Sequence, residues 1–365
     1  MPASGASVTE PAAPVQPLGP TPPRPLVVDI DHSLLRSDLF DETLIEGLRR
    51  QPLQTLLTFR RLRQGRAALK AQLAQASRLD VRVLPYNRDV QACMADAREQ
   101  GRSVHLVSAA DASLVAAIAD HLGGVADHHG STPDINLKGE HKAQWLAQRF
   151  GERGFDYVGD SRSDLRVWAL AGHIHTVGLG GLLRRAVRRL AGQQGVSALH
   201  LSAPPAGFAR WRPWRRLLRP RQWVAELILI ASVWAFSGFV AGGLSASQWL
   251  AVAAYWSLGL AGRVVAGLWY AQPHRELRAN TGRYANPLAT GALRLRTAAL
   301  VGSGLAVLGL VGTTAFGGWS LLPLALVHCS ACAWSVALGP RSPWLQRLAG
   351  LARWAVAALS GLALV

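Results

Sequence analysis

Pro25–Asp38, PLVVDIDHSLLRSD, is the stretch whose reading decides the fold. An apolar run, Leu26-Val27-Val28, leads into Asp29, Ile30 and Asp31, and a hydroxyl comes next at Ser33. A short β-branched run bounded by proline and then by polar residues predicts a buried strand of a parallel sheet. The carboxylates begin where that strand ends, and in open α/β sheets ligands sit at the carboxyl ends of the strands. Two carboxylates two residues apart at such an end can converge on one Mg²⁺ and one phosphoryl group. The same residues alone also suit a strand end with two solvated aspartates, so the reading turns on residues further along the chain.

Asp38 to about Ser77 reads as helical, with Leu44, Leu48, Leu53, Leu56, Leu57 and Leu62 at roughly helical spacing and arginines between them. It is expected either as a small cap over the strand ends, at about 38–80, or as a basic helix on a membrane surface. Val81–Tyr86 suits an edge strand or the approach to a helix, and Asp89–Gln100 is a predicted helix with Asn87 or Asp89 near its N-cap. Ser103–Val107 is a second buried strand ended by Ser108, and Ala109–Leu122 a helix behind it. There a serine hydroxyl and a helix N-terminus make an anion site; an ordinary N-cap is the alternative. In Asp134–Phe150, DINLKGEHKAQWLAQRF, Asn136 is placed to cap a helix, and Lys138 and Lys142 fall one turn apart on one face. A lysine at that point offsets the charge of aspartates and of a transferring phosphoryl group. Phe155–Val158 is a third strand, ended by Gly159-Asp160-Ser161 with Asp164 four residues after Asp160, and Ile174–Val177 a last short one.

In their order, D-x-D-x-S at Asp29–Ser33, Ser108 after a strand, Lys138-Gly139-Glu140, and G-D-S-x-x-D at Gly159–Asp164 resemble the haloacid-dehalogenase-like (HAD) hydrolases. The resemblance covers about residues 25–180. It implies a Rossmann-like α/β domain in which Asp29 is a nucleophile forming an aspartyl-phosphate and Asp31 the general acid and base. It further implies that Ser33, Ser108 and Lys138 or Lys142 hold the phosphoryl oxygens. Asp29, the Asp31 carbonyl and Asp160 would bind Mg²⁺, with Asp164 in support. The glycine usual after the second aspartate is His32 here, and the usual threonine is Ser33.

The chain has 365 residues and a net charge of +17, unevenly spread. After Asp164 the carboxylates are Glu226 and Glu276 alone. Apolar segments lie at about 223–243, 247–271, 297–316, 319–338 and 346–365, and ~20 such residues cross a bilayer. An all-α transmembrane bundle of about five helices is therefore expected. The basic excess reads as cytoplasmic-side arginine flanking spans, not as a nucleic-acid surface. Residues 1–21 read as a disordered tail, 22–180 as the α/β domain, 181–220 as an Arg- and Trp-rich juxtamembrane linker, and 221–365 as the membrane domain. Gln272–Arg296 and Gly339–Arg347 are basic while Gly242–Ser247 and Gly317-Gly318 are neutral, which places both basic loops and the N-terminal domain in the cytoplasm, at the inner membrane. Arg263 and Arg353 fall within spans and should face protein or water. Cys93, Cys329 and Cys332 make no disulfide framework, and Cys329-x-x-Cys332 beside His328 reads as small residues on an apolar helix.

Arg219-Pro220-Arg221-Gln222-Trp223 and Asn286-Pro287-Leu288-Ala289-Thr290-Gly291 make about residues 215–340 similar to UbiA-type membrane prenyltransferases. Those enzymes hold a polyprenyl (di)phosphate through Mg²⁺ on aspartate-rich loops. The corresponding places here hold Trp269, Tyr270, Pro273 and Leu277. Hence this half is expected to be a degenerate or truncated relative, kept as an anchor or a lipid-binding scaffold. The leading expectation is a membrane-anchored, Mg²⁺-dependent phosphohydrolase acting on a small or lipid-linked phosphoester. The alternatives are a prenyl or phosphoribosyl transferase completed in trans and acting on a polyprenyl phosphate, and a non-catalytic scaffold bound to membrane lipids. The sequence leaves an oligomer open.

Overall fold

In the computed structural model, described for residues 23–132, 137–202, 207–220, 224, 228, 245–276, 285–338 and 343–362, Leu26–Val28 forms strand β1 at the centre of a sheet. Alternation along the strand sends Leu26 and Val28 into one core and Val27 into another, on opposite faces. A strand buried on both faces must be apolar throughout, which is why three consecutive aliphatic residues mark it.

Five further strands run parallel to it: β2 (Val104–Asp111), β3 (Asp127–Ser131), β4 (Asp156–Gly159), β5 (His173–Val177) and β6 (Ala198–Ser202). Their order is β3-β2-β1-β4-β5-β6, each neighbouring pair parallel. The order reverses between β1 and β4, and at such a switch point a crevice opens at the carboxyl ends of the strands. Asp29 comes directly after β1 and Asp160 directly after β4, so both stand at that crevice.

Helices α1 (Leu39–Arg50), α2 (Pro52–Thr58) and α3 (Arg66–Ser77) occupy the expected insertion between β1 and β2. Further helices are α4 (Arg88–Glu99), α5 (Ala112–Leu122), α6 (Glu140–Phe150), α7 (Leu165–Trp168) and α8 (Gly181–Gln194). Val81–Tyr86 is the approach to a helix and not an edge strand: it leads to Asn87, the N-cap of α4, and holds a 3-10 turn at Val81–Val83 and a single antiparallel bridge from Tyr86 to Leu35. The α/β unit does not stop at residue 180, because β6 pairs with β5 and Val187 and Ala191 of α8 are buried in the second core. The arginines of 184–189 lie on the exposed side of that helix and give the stretch its linker-like composition.

Beyond α9 (Arg212–Leu218) come α10 (Ala246–Trp269), α11 (Ala271–Glu276), α12 (Leu295–Leu338) and α13 (Pro343–Leu362). Gly318, at φ 69° and ψ 177°, interrupts α12 where the neutral Gly-Gly pair is expected to separate two segments. Among the described residues, three stretches are long and apolar enough to cross a membrane: Ala246–Trp269, Leu295–Trp319 and Leu321–Leu338. Except for Val224 and Ile228, the segment expected at 223–243 lies outside the described residues, as does the expected tail at 1–21. α13 takes the place of the fifth segment but is not among the three; it carries Arg347 and Arg353. Arg263 and Arg353 are both buried against protein, and Arg263 Nη1 donates to Ser335 Oγ at 3.3 Å.

The two halves meet through α1. Its Asp41, Glu42 and Ile45 share one face, and acidic residues also suit the first turn of a helix. Ile45 packs on a cluster with Leu217, Val264, Leu288, Leu293 and Leu295. Arg275 forks onto buried Glu42 with Nη1–Oε2 at 2.9 Å and Nη2–Oε1 at 2.7 Å, and its Nε donates to the Ala289 carbonyl at 2.7 Å. Arg296 donates from Nε to Asp41 Oδ1 at 2.6 Å and from Nη2 to Asp38 Oδ2 at 3.2 Å. Residues 285–294, the described part of the connection between α11 and α12, therefore lie on the same side of the spanning helices as the α/β unit.

Candidate active site

After β1 the chain makes one wide turn over Ile30–Leu34, with Leu34 N donating to the Asp29 carbonyl and Leu35 N to that of Ile30. His32 sits at φ 56°, the left-handed conformation that a glycine adopts most cheaply. The turn separates the two aspartates. Asp29 is buried, and its Oδ1 accepts from Ile30 N at 2.9 Å and lies 2.9 Å from Lys142 Nζ. Asp31 Oδ1 instead accepts from Leu39 N at 2.8 Å, at the start of α1.

Of the two lysines, Lys142 is the one that stands beside Asp29. It is buried on α6, and besides Asp29 it donates to the Tyr157 hydroxyl at 3.0 Å. Lys138 is exposed: the helix begins at Glu140, after Gly139 at φ 58°, so the two lysines do not share one helical face. Asn136, expected as a cap, lies outside the described residues.

Asp29, Asp160 and Asp164 each offer an oxygen, and these lie within 4.8 Å of one another. Asp164 is already engaged. Its Oδ2 accepts from Asp160 N at 3.1 Å, Ser161 N at 2.9 Å and Ser161 Oγ at 2.8 Å, and its Oδ1 from the Tyr157 hydroxyl at 3.2 Å. It shapes the loop that presents Asp160. Gly159 permits this by its size: a Cβ there would lie 2.8 Å from Asp164 Oδ2. The side chain of Asp31 is not part of the trio, which leaves its backbone carbonyl as the group it can offer a metal.

Charge and burial set the proton affinities. Burial, then repulsion from Asp164 and Asp29, pushes Asp160 up to about 8. Burial, then Asp38 and Asp29, pushes Asp31 up to about 7. Burial raises Asp29 while the Lys142 charge opposes it. Burial works against the charged form of Lys142, yet Asp29 and Asp164 raise it on balance. Buried carboxylates that repel one another are relieved by a divalent cation, and hard oxygen donors are the set that Mg²⁺ takes. The residues thus fit such a metal, with Asp29 and Asp160 as side-chain ligands and Asp164 behind them.

Ser33 Oγ is fully buried in the turn and makes no hydrogen bond among the described residues, which suits a hydroxyl that meets a ligand. Ser108 Oγ, also buried, accepts from Ala110 N at 3.1 Å. The helix does not start beside it as expected, because β2 runs on to Asp111. That residue caps α5 by accepting from Ser113 N at 3.0 Å, so Ser108 is a strand residue.

Two site residues escape the sequence reading. Tyr157 bridges Lys142 and Asp164, and strand alternation two residues before Gly159 is its signal. Lys70 on α3 faces Asp31 across a small pocket lined also by Leu39, Phe40 and Ala110, and donates to the Ala109 carbonyl at 2.7 Å. Nothing local in the sequence ties it to Asp31.

No family model matches this chain. It is similar to the uncharacterized protein y4nM of Sinorhizobium fredii, with 36% identity over 205 residues, or 56% of this chain and 38% of that one. The match thus spans less than two fifths of the relative's length. Among solved structures, a protein of unknown function from Bordetella pertussis Tohama I is 18% identical with a TM-score of 0.38, covering 50% of this chain and 100% of that one. A substrate-bound phosphoserine phosphatase is 17% identical with a TM-score of 0.34, covering 44% of this chain and 89% of that one.

Proposed function

We propose that this chain is a membrane-anchored, Mg²⁺-dependent phosphohydrolase of the HAD type, acting on a small or lipid-linked phosphoester through an aspartyl-phosphate. The observation that carries it is the Asp29–Asp160–Asp164 group with Lys142 Nζ 2.9 Å from Asp29, at the switch point of the sheet.

The first step forms a bond from an Asp29 carboxylate oxygen to phosphorus while the ester P–O bond breaks. The departing alkoxide takes the proton of the Asp31 carboxyl, whose affinity near 7 keeps that proton available at neutral pH. In the second step a water molecule loses its proton to the Asp31 carboxylate and attacks phosphorus. The Asp29–phosphorus linkage breaks, inorganic phosphate leaves, and both carboxyls return to their starting states. Lys142 holds Asp29 oriented and offsets the negative charge that gathers around phosphorus. Ser33 and Ser108 offer hydroxyls to its oxygens. Mg²⁺, held by Asp29, Asp160 and the Asp31 carbonyl, would supply charge neutralisation at the phosphoryl group.

The lipid-linked substrate class draws support from the α2 end of the insertion. Leu53, Leu56 and Leu62 are exposed at 75%, 58% and 51%, with Leu57 and Phe59 beside them and Arg60, Arg61 and Arg63 interleaved. Apolar side chains flanked by arginine suit the headgroup boundary of an anionic membrane. On this reading the insertion both covers the site and touches the bilayer, and the α/β unit lies on the cytoplasmic face of the inner membrane. The UbiA-like motif then serves as a docking loop: Asn286 fixes its fold, with Nδ2 donating to the Gly267 carbonyl at 2.8 Å and Oδ1 accepting from Leu288 N at 3.1 Å, and Arg275 joins its Ala289 carbonyl to Glu42 of α1.

The test is phosphate release by the full chain in lipid nanodiscs, from soluble and lipid phosphomonoesters, with and without Mg²⁺. Release that needs the cation and vanishes in Asp29→Asn is expected. Absence of release across the panel, or release indifferent to Asp29→Asn, overturns the reading.

A further inference from the structure

A cavity of about 740 Å³ lies away from the carboxylate site, on the insertion between α2 and α3. Sites for small ligands run from ~300 to ~1,000 Å³. Helices that pack side by side normally turn apolar residues toward each other. Here Gln54 of α2 and Gln72 and Gln75 of α3 line the gap, while Leu69 and Leu73 of α3 turn away and are buried. Facing carboxamides keep their hydrogen-bonding groups wet, so the gap stays an open groove. The chain returns from α2 to α3 through a 3-10 stretch, Phe59–Gln64, which brings Arg60 and Arg61 to the groove, and Arg78 joins them from the far end of α3.

The described lining thus holds three guanidiniums and no carboxylate. Guanidinium donors match the oxygens of a phosphate, and carboxamides beside them can both donate to and accept from hydroxyls. Arg78 is held at φ 48° and ψ 45°, the left-handed conformation in which glycine ends a helix at least cost. Strain kept at a residue that lines a cavity points to a use for its side chain there. The rim supplies the second half of the ligand. Leu57 lines the groove, and Leu53, Leu56 and Leu62 on the same two elements are exposed. A free phosphate makes no use of such leucines, whereas a phospholipid brings a headgroup and acyl chains together.

We propose that the groove between α2 and α3 binds the headgroup of an anionic, hydroxyl-bearing phospholipid, with the phosphate on Arg60, Arg61 and Arg78 and the acyl chains along the exposed leucines. This rests on the reading in which the insertion touches the bilayer, and deepens it: the contact is a discrete site for one lipid, separate from the Asp29 site.

The experiment is native mass spectrometry of the full chain in detergent, titrated with phosphatidylglycerol or phosphatidylcholine. The chain should retain one phosphatidylglycerol in preference to phosphatidylcholine, and Arg60→Gln with Arg78→Gln should weaken that binding roughly tenfold or more, the loss of charge-assisted hydrogen bonds. Arg78→Gly should also weaken it while holding or raising the melting temperature, because glycine relieves the left-handed conformation; lipid lost through misfolding would come with a lower one. Arg82→Gln, a surface arginine paired with Asp80, should change nothing. In nanodiscs, photoactivatable acyl chains on phosphatidylcholine read contact of residues 53–62 with the bilayer whatever the headgroup. Equal phosphatidylglycerol binding by the double variant and the parent chain overturns the inference, as does glycerol phosphate without acyl chains binding as tightly as the lipid. Photolabel at 53–62 alongside either result would leave the bilayer contact standing. A parent chain with neither photolabel there nor a preference for phosphatidylglycerol overturns both.

Discussion

Replacing Lys142 with methionine keeps the length of the side chain and removes the ammonium group that stands 2.9 Å from Asp29 Oδ1. Both groups are buried, so the Asp29 charge loses its partner where water cannot replace it. Breaking a buried pair from one side costs roughly 3–5 kcal/mol if the remaining charge persists. Asp29 has a way out, which is to take a proton. The proton removes the unpaired charge, so the loss does not exceed that figure. The sign comes from linkage: a carboxyl raised in the folded state contributes stability below about pH 4 and loses it as pH climbs through the raised value. The stability deficit of Lys142→Met should therefore grow from pH 5 to pH 8. Catalysis should suffer more. A protonated Asp29 is no nucleophile, and loss of one positioned cation costs about 10²–10³ in rate. The assay is phosphate release at saturating Mg²⁺ from pH 5 to pH 9, with thermal unfolding monitored on the same samples. The variant should be slower by two to three orders of magnitude at pH 7, with its acid limb displaced to higher pH. Activity within about threefold of the parent, on an unmoved pH profile, would refute the reasoning.

Asp160→Asn should remove part of the alkaline loss of stability of the metal-free protein, because the carboxyl pushed up to about 8 can no longer ionise; melting temperatures from pH 5 to pH 9 read this, and Mg²⁺ should no longer raise them. Gly291→Ala forces a left-handed alanine against Arg36 and Pro85, at about 1–2 kcal/mol for the conformation and 1–3 kcal/mol for the overlap; hydrogen exchange should quicken in α1 and at 285–296. Glu42→Gln strands a buried Arg275, a loss of roughly 3–5 kcal/mol in docking; faster protease cleavage of the insertion should report it, and Glu42→Gln with Arg275→Gln should be milder than Glu42→Gln alone.

Much of the α/β unit is legible in the sequence because parallel strands buried on both faces need unbroken aliphatic runs, and Leu26–Val28 and Val104–Val107 come close to supplying them, with His105 the one polar interruption. β3, Asp127-His128-His129-Gly130-Ser131, and β6, Ala198–Ser202, lie at the two ends of the sheet and lack such runs, so nothing local marks them. Asp29 and Asp160 can be read because each stands just after a strand end, where topology converges them, and Asp164 because it follows Asp160 by four residues, one turn on. The choice of Lys142 over Lys138 cannot be, since it depends on the helix starting at Glu140. Least legible is the join between the halves. Asp38, Asp41 and Glu42 look like an ordinary acidic first turn, and Arg275 and Arg296 like topology-setting arginines. Only folding brings residues more than 200 positions apart into the ion pairs of Glu42 with Arg275 and Asp41 with Arg296.

Acid quench of the full chain during turnover of a ³²P-labelled phosphomonoester, with peptide mapping of the quenched protein, tests the central claim most directly. The account predicts a label on Asp29 that hydroxylamine removes and that does not form without divalent cation or in Asp29→Asn. Turnover with no label on the protein, or with label on any other residue, would contradict it.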